Sequence, residues 1–276
     1  MDVFTVTVGQ LILSGAQSVY DQINRAFGKY PDADLLVFPE FATRHNVDLK
    51  AVPYLQGSSE AAEKVQRWLD LVPDFTHVKA LSEDVGKALL IGCIAQDNGQ
   101  LFSRAYFYDP HRAQLGYYDK SHIHWTEDFL RPGGSIVPLQ TRFGTIGILM
   151  CYDMAFSEAP RVLGIQGVEV LFALSAIPSD FCWQYAHHRM IGAAIFNQYY
   201  VVAANVGHSP ETPMGGHSGV YGPKGDLIAQ IEGAHAGCLC AEVDLDQVRR
   251  WRHKEIIYPH RRPYLYRQIA APVDDR

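Results

Sequence analysis

The sequence has little that would hold a nucleic acid, a membrane or a structural metal. Lysine and arginine number 24 against 30 aspartates and glutamates, a net charge of −6 over 276 residues. A nucleic-acid-binding domain carries a basic face that shows in such totals, and the basic runs here are short, as at Arg261-Arg262. No apolar run approaches the roughly 18 uninterrupted residues needed to span a bilayer. The opening MDVFTVTVGQLIL lacks a basic stretch and carries an acid at Asp2, unlike a secretory signal. The five cysteines, Cys93, Cys151, Cys182, Cys238 and Cys240, are odd in number and include no C-x-x-C pair. That argues against both a disulfide framework and a zinc module. These absences predict a cytoplasmic protein with no nucleic-acid or membrane partner and no bound metal. No linker, low-complexity tract or repeat interrupts the chain. Residues 1–276 are therefore expected to form a single domain, with an irregular tail from about Arg252.

What is present is ordinary globular composition, 47% hydrophobic and 20% charged. Phe4 to Val8 alternates and is β-branched, and Asp34 to Phe38 is a short apolar run. Between them, Val19, Tyr20, Ile23, Ala26 and Phe27 recur at helical spacing, which predicts a strand–helix–strand unit. Helices are also expected from Ser59 to Leu71, with Ser59 as N-cap, and from Val78 to Gly86. From Lys87 to Tyr118 the pattern predicts three strands in an antiparallel meander. Thr145 to Met150 and Val168 to Ala173 read as apolar strands around a helix from Ser157 to Gly167. A long helix from Trp183 to Asn197, a buried strand from Tyr199 to Asn205, a hairpin from Gly219 to Gln230 and a strand from Gly237 to Val243 complete the set. Alternating helices and strands, with several strands in succession, predict a layered α/β fold with mixed sheets covered on both faces.

Three reactive side chains sit at or just past the ends of apolar strands, where α/β folds tend to keep their ligands. Glu40 follows Leu35-Leu36-Val37-Phe38-Pro39, and its apolar neighbours would lift its pKa toward that of a general base. Lys120 lies in Tyr117-Tyr118-Asp119-Lys120-Ser121-His122. Cys151 ends Ile146-Gly147-Ile148-Leu149-Met150, where a strand-to-helix turn can present a thiol. Each alone has an ordinary explanation: a solvated loop acid, a surface lysine, a buried inert cysteine. Their jobs are complementary, since a carboxylate can remove the thiol proton while an ammonium steadies the oxyanion that the thiolate creates. The twelve histidines offer another route. One of His122, His124, His187 or His188 could serve as a base for Cys151, and His122 with His124 could ligate a metal. Core or pocket roles are the commoner ones for such residues.

The sequence resembles the nitrilase, or carbon–nitrogen hydrolase, superfamily. The resemblance rests on LLVFPEFA around Glu40, YYDKSHIH around Lys120 and GILMCYDMAFSE around Cys151, in the family's order. GVEVLFALSAIP, NQYYVVAAN and GHSGVYGPKGDLIAQ add to it, so the likeness runs from the first strand to about residue 245. It implies an α-β-β-α sandwich and subunits paired through it as a homodimer or higher homo-oligomer. It also implies a triad of Glu40 as base, Lys120 as oxyanion stabiliser and Cys151 as nucleophile, with the Tyr152 backbone N–H as second oxyanion donor. A further acid after the lysine is implied at Glu127, with Asp128 the neighbouring alternative. Cys151-Tyr152-Asp153 resembles the amidase-like branch, whereas nitrilases tend to read CWE.

Two positions depart from the family pattern. Ala155 stands where relatives carry arginine, and Phe196 where many carry glutamate. The expected function is hydrolysis of a non-peptide C–N bond in a small amide through a thioester at Cys151, with no cofactor. Nitrile or N-carbamoyl hydrolysis on the same fold, or a catalytically silent binding protein, are the alternatives. Trp125, Phe129, Trp183, Tyr185 and His122 are candidates to line the substrate pocket, with core packing the plain alternative for the aromatics.

Overall fold

The computed structural model describes residues 1–13, 18–45, 47, 63, 66, 69–70, 72–181 and 183–272. The expected helix from Ser59 to Leu71 lies largely outside the described residues; 63, 66, 69 and 70 are helical.

The first sheet runs β13-β1-β2-β4-β5-β6, with β3 (Thr43–His45) paired to β4. Its members are β1 (Val3–Gln10), β2 (Leu35–Val37), β4 (Ala88–Asp97), β5 (Gln100–Asp109), β6 (Gln114–Asp119) and β13 (Gly237–Asp244). β1, β2 and β4 are parallel, while β4-β5-β6 forms the expected antiparallel meander. The second sheet runs β12-β11-β10-β9-β8-β7. It comprises β7 (Leu139–Thr141), β8 (Gly144–Met150), β9 (Val170–Ser175), β10 (Tyr200–Asn205), β11 (Gly219–Tyr221) and β12 (Leu227–Gln230). β8, β9 and β10 are parallel and the outer pairs antiparallel. Both sheets are thus mixed.

The period-2 alternation of strands sorts the side chains into layers. Phe4, Val6, Val8, Leu35, Val37, Leu90 and Phe107 pack with residues of the second sheet, including Ile148, Met150, Phe172 and Leu174. The alternate positions Leu36, Phe38, Leu89 and Ile91 turn to the other face, against α1 (Val19–Lys29) and α2 (Phe75–Val85). α1 starts at Ser18, whose side chain accepts the Asp21 N–H, and buries Val19, Ile23, Ala26 and Phe27 as one stripe. α2 is capped by Asp74 and ends at Gly86, whose φ of +67° is the left-handed turn that glycine adopts without steric cost.

On the far side, α3 (Glu158–Ile165) and α4 (Trp183–Asn197) cover the second sheet, contributing Ala159, Leu163, Met190, Ala193 and Ala194 to its packing. The result is an α-β-β-α sandwich. Parallel strands covered on both faces explain the near-continuous apolar runs of β8, β9 and β10.

The chain before the C-terminal tail forms a helix that the sequence pattern does not mark, α5 (Leu245–Lys254), which ends two residues past Arg252. Only Leu245 and Val248 of that helix are buried, so it carries little of the apolar periodicity that marks a helix in sequence. It is held by polar contacts instead. The Arg252 guanidinium donates to the carbonyls of Val168, Asn197 and Gln198, and the Tyr258 hydroxyl donates to the Asn197 carbonyl at 2.6 Å. The Asn197 and Gln198 carbonyls lie at the C-terminal end of α4, which its own backbone leaves open, and the Val168 carbonyl lies just before β9. Beyond α5 the chain adds a 3-10 helix, Pro263–Ala270.

Candidate active site

Glu40, Lys120 and Cys151 each follow a strand: β2, β6 and β8. The first two strands belong to one sheet and the third to the other, so their ends meet across the interface between sheets. The Ser103 hydroxyl, on β5, lies 3.9 Å from the Met150 sulfur at the end of β8.

Glu40 is fully buried. Its Oε1 accepts hydrogen bonds from Ser103 Oγ and Lys120 Nζ, each at 3.0 Å. Its Oε2 is buried with no hydrogen-bond partner among the described residues. A buried carboxylate oxygen without a donor is costly unless something with a proton comes to it. Burial pushes the Glu40 pKa up, to about 7, against the pull of the Lys120 ammonium. The backbone here is tightly wedged. A Cβ on Gly92 of β4 would lie 2.6 Å from the Glu40 Cα and 2.7 Å from the Pro39 oxygen, so glycine is what allows β4 to pass beneath the acid.

Lys120 is also fully buried. Its Nζ bridges Glu40 Oε1 at 3.0 Å and Glu127 Oε2 at 2.6 Å. Burial opposes the ammonium, but the Glu40 and Glu127 carboxylates outweigh it and hold the lysine charged, its pKa well above the ordinary value. Of the two acids considered after the lysine, Glu127 is buried and makes this bond, whereas Asp128 is exposed.

Cys151 opens a 3-10 turn, Cys151–Ala155, and has a φ of +43°. A non-glycine residue in the left-handed region costs about 1–3 kcal/mol and persists only where its surroundings hold it there. Burial pushes the thiol pKa well up and the Glu40 carboxylate adds to this, while Lys120 and a hydrogen bond from the Ala176 backbone oppose it. These influences favour the thiol over the thiolate at rest. The groups acting on the sulfur are acids, an ammonium and a backbone amide. The site can hold a proton on either partner and keep a positive charge fixed beside them.

The remaining sequence candidates divide. Tyr152 follows the cysteine in the turn, and its ring meets His124, Trp125 and Phe156 edge-on. Trp125 is 72% exposed, its ring tilted against that of His124. The His122 ring stacks on Phe156 with centroids 4.0 Å apart and bonds to Asp153. His122 and His124 are thus engaged with Asp153 and Thr126, and among the described residues no group of three His, Cys, Asp or Glu could hold a metal ion.

Phe129 is buried. It is 1% exposed, in the core between the first sheet and its helices, because apolar burial takes a phenyl ring wherever the loop turns inward. Tyr185 lies half-exposed on α4 against Phe181 and Arg189, and the neighbouring cavity is lined by Phe181, Ile177 and His187 rather than by Tyr185. The side chain of Trp183 lies outside the described residues. Sequence reasoning missed Ser103, the Ala176 backbone and Asp153. Ser103 carries no pattern of its own in the sequence, and Ala176 lies in GVEVLFALSAIP with no sign that its backbone would face the sulfur. Asp153 stands in the motif around the cysteine but gave no sign of its partners.

The family model for carbon–nitrogen hydrolases matches residues 12–253. The chain is 30% identical over 220 residues to an N-carbamoylputrescine amidase of Solanum tuberosum, covering 72% of this chain and 73% of that protein. Its fold is similar to that of the C. elegans NitFhit protein, with a TM-score of 0.79 at 20% identity, over 96% of this chain and 66% of that one. The chain therefore spans about two thirds of the length of NitFhit. A mutant of the amidase from Nesterenkonia sp. AN1 is similar with a TM-score of 0.71 at 20% identity, over 96% of each chain. That structure contains the acetamide moiety of fluoroacetamide covalently added at its active-site cysteine.

Proposed function

The chain belongs to the carbon–nitrogen hydrolase family, and from that premise we propose that it hydrolyses a small amide through a thioester at Cys151. In this reading Glu40 takes the thiol proton and the sulfur attacks the carbonyl carbon. The oxyanion is held by the Lys120 ammonium and the Tyr152 N–H, and losing one such donor typically costs about 10²–10³ in rate. As the C–N bond breaks, Glu40 returns the proton to the departing nitrogen, leaving a thioester. Water then gives a proton to Glu40 and its oxygen to the carbonyl carbon. The C–S bond breaks, the sulfur recovers its proton and the acid leaves. Glu127 keeps the ammonium in place throughout.

The observation that carries the reading is the buried chain of Glu40, Lys120 and Glu127 beside a cysteine in a left-handed turn, with one Glu40 oxygen left without a donor among the described residues. Its alternation of charges suits proton transfer followed by oxyanion formation. An amide is favoured over a nitrile by Cys151-Tyr152-Asp153 in place of CWE, and by the amidase relatives. An N-carbamoyl compound is the second reading, favoured by the likeness to an N-carbamoylputrescine amidase. Either would be handled without a cofactor, and we place the reaction in the cytoplasm. Among the described residues no helix is long and apolar enough to cross a membrane. We also propose a homo-oligomer, a dimer at least, because Val162, Ile165, Ile195 and Phe196 are exposed on α3 and α4.

Ammonia release from a panel of amides, nitriles and N-carbamoyl compounds tests the reading. Wild type should turn over an amide or carbamoyl compound, and Cys151→Ala should be folded and inactive. Undiminished turnover in Cys151→Ala would end it.

A further inference from the structure

We infer that Asp153 is a positioning residue that ties the segment carrying Lys120 to the turn carrying Cys151, an inference that rests on the amide-hydrolase reading. The carboxylate is fully buried, and the hydrogen bonds it accepts come from those two segments. Oδ1 takes the His122 backbone N–H and the His122 Nδ1, each at 2.8 Å. Oδ2 takes the Tyr118 hydroxyl at 2.8 Å and the Met150 N–H at 3.0 Å. Tyr118 and His122 flank Lys120 two residues to either side. Met150 precedes Cys151, and Asp153 itself follows it by two. One side chain therefore fixes both carriers from both sides.

The chemistry of the four donors suits a permanent clasp. Burial and then the Asp153 charge push the Tyr118 phenol well above its ordinary pKa, so it remains a donor. Its oxygen also meets Ser121, 3.1 Å from the hydroxyl and 3.3 Å from the backbone N–H, which draws in the residue next to Lys120. The Met150 and His122 amides would lose their acceptor if the carboxylate were removed, and buried amides are not left unpaired cheaply. Between Cys151 and Asp153 lies Tyr152, so the same clasp sets where the Tyr152 N–H points. No backbone preference holds a non-glycine residue at the φ of Cys151, so the restraint must come from contacts of this kind.

The test uses wild type, Asp153→Asn, Tyr118→Phe and the double variant. The rate of Cys151 alkylation by iodoacetamide is followed by peptide mapping, beside kcat, KM and Tm. An asparagine keeps the size but turns an NH₂ toward donors. Asp153→Asn should slow alkylation and lower kcat about 10²-fold, the scale of a 1 Å misplacement, with KM nearly unchanged. Tyr118→Phe, which retains the carboxylate and guards against a variant that fails to fold, should lower both by less. The double variant should be no worse than Asp153→Asn, since the two share one role. A lower Tm with alkylation and kcat per folded molecule unchanged would overturn the inference and leave Asp153 purely structural. Wild-type Cys151 alkylating no faster than Cys93 or Cys240 would instead sink the hydrolase reading on which it rests.

Discussion

At the residue scale, the behaviour of Glu40 follows from where its charge is placed. Its folded pKa, pushed up to about 7 by burial, leaves it protonated in mild acid and unable to take the thiol proton. Hydrolysis and Cys151 alkylation should both rise with pH through about 7, and pH–rate profiles check this. In Glu40→Gln that limb should vanish from the alkylation profile and turnover should fall by at least about 10². Stability carries the same signature with a definite sign. Because the folded pKa lies above the ordinary carboxylate value, the favourable contribution is fully present below that value and is lost as pH rises through about 7. Glu40→Gln should flatten that slope in thermal melts. The identities of Glu40, Lys120 and Cys151 as residues of interest were readable because each ends an apolar run and belongs to a motif. Ser103 was not, since a serine in an alternating strand looks the same whether it faces a carboxylate or fills a gap.

At the scale of elements, most strands and helices were legible because burial on two faces writes long apolar runs into β4, β8, β9 and β10, and a clear stripe into α1. α5 was missed because its anchoring is polar. Arg252 does there what apolar side chains do elsewhere. Arg252→Ala should remove its bonds to the Val168, Asn197 and Gln198 carbonyls and cost about 1.5–3 kcal/mol, the range for hydrogen bonds to charged groups. Denaturant unfolding would measure it, with no change expected in the pH profile of Cys151 alkylation. Phe129 shows the reverse ambiguity. An aromatic next to Glu127 reads equally as pocket or core, and only the direction in which the loop turns decides between them.

At the scale of the whole molecule, the two sheets are what bring together residues that lie far apart in the chain. Sequence order and the ends of strands indicated which residues to compare, but not that β2 and β6 would face β8 across a sandwich. The surface of α3 and α4 carries a prediction of its own. Phe196 is 67% exposed beside the exposed Ile195, and an apolar patch of this kind marks a contact surface. Phe196→Glu should lower the oligomeric state in light scattering coupled to size exclusion, while the alkylation rate of Cys151 holds steady; an unchanged mass would remove this face from the interface.

The central claim is that the sulfur of Cys151 carries the acyl group during turnover, and rapid-quench mass spectrometry with peptide mapping addresses it most directly. Mixed with an amide from which it releases ammonia, the protein should show an acyl mass on the Cys151 peptide, formed at least as fast as turnover. Steady ammonia release with that peptide unmodified, or after Cys151 has been blocked by alkylation, would contradict the account.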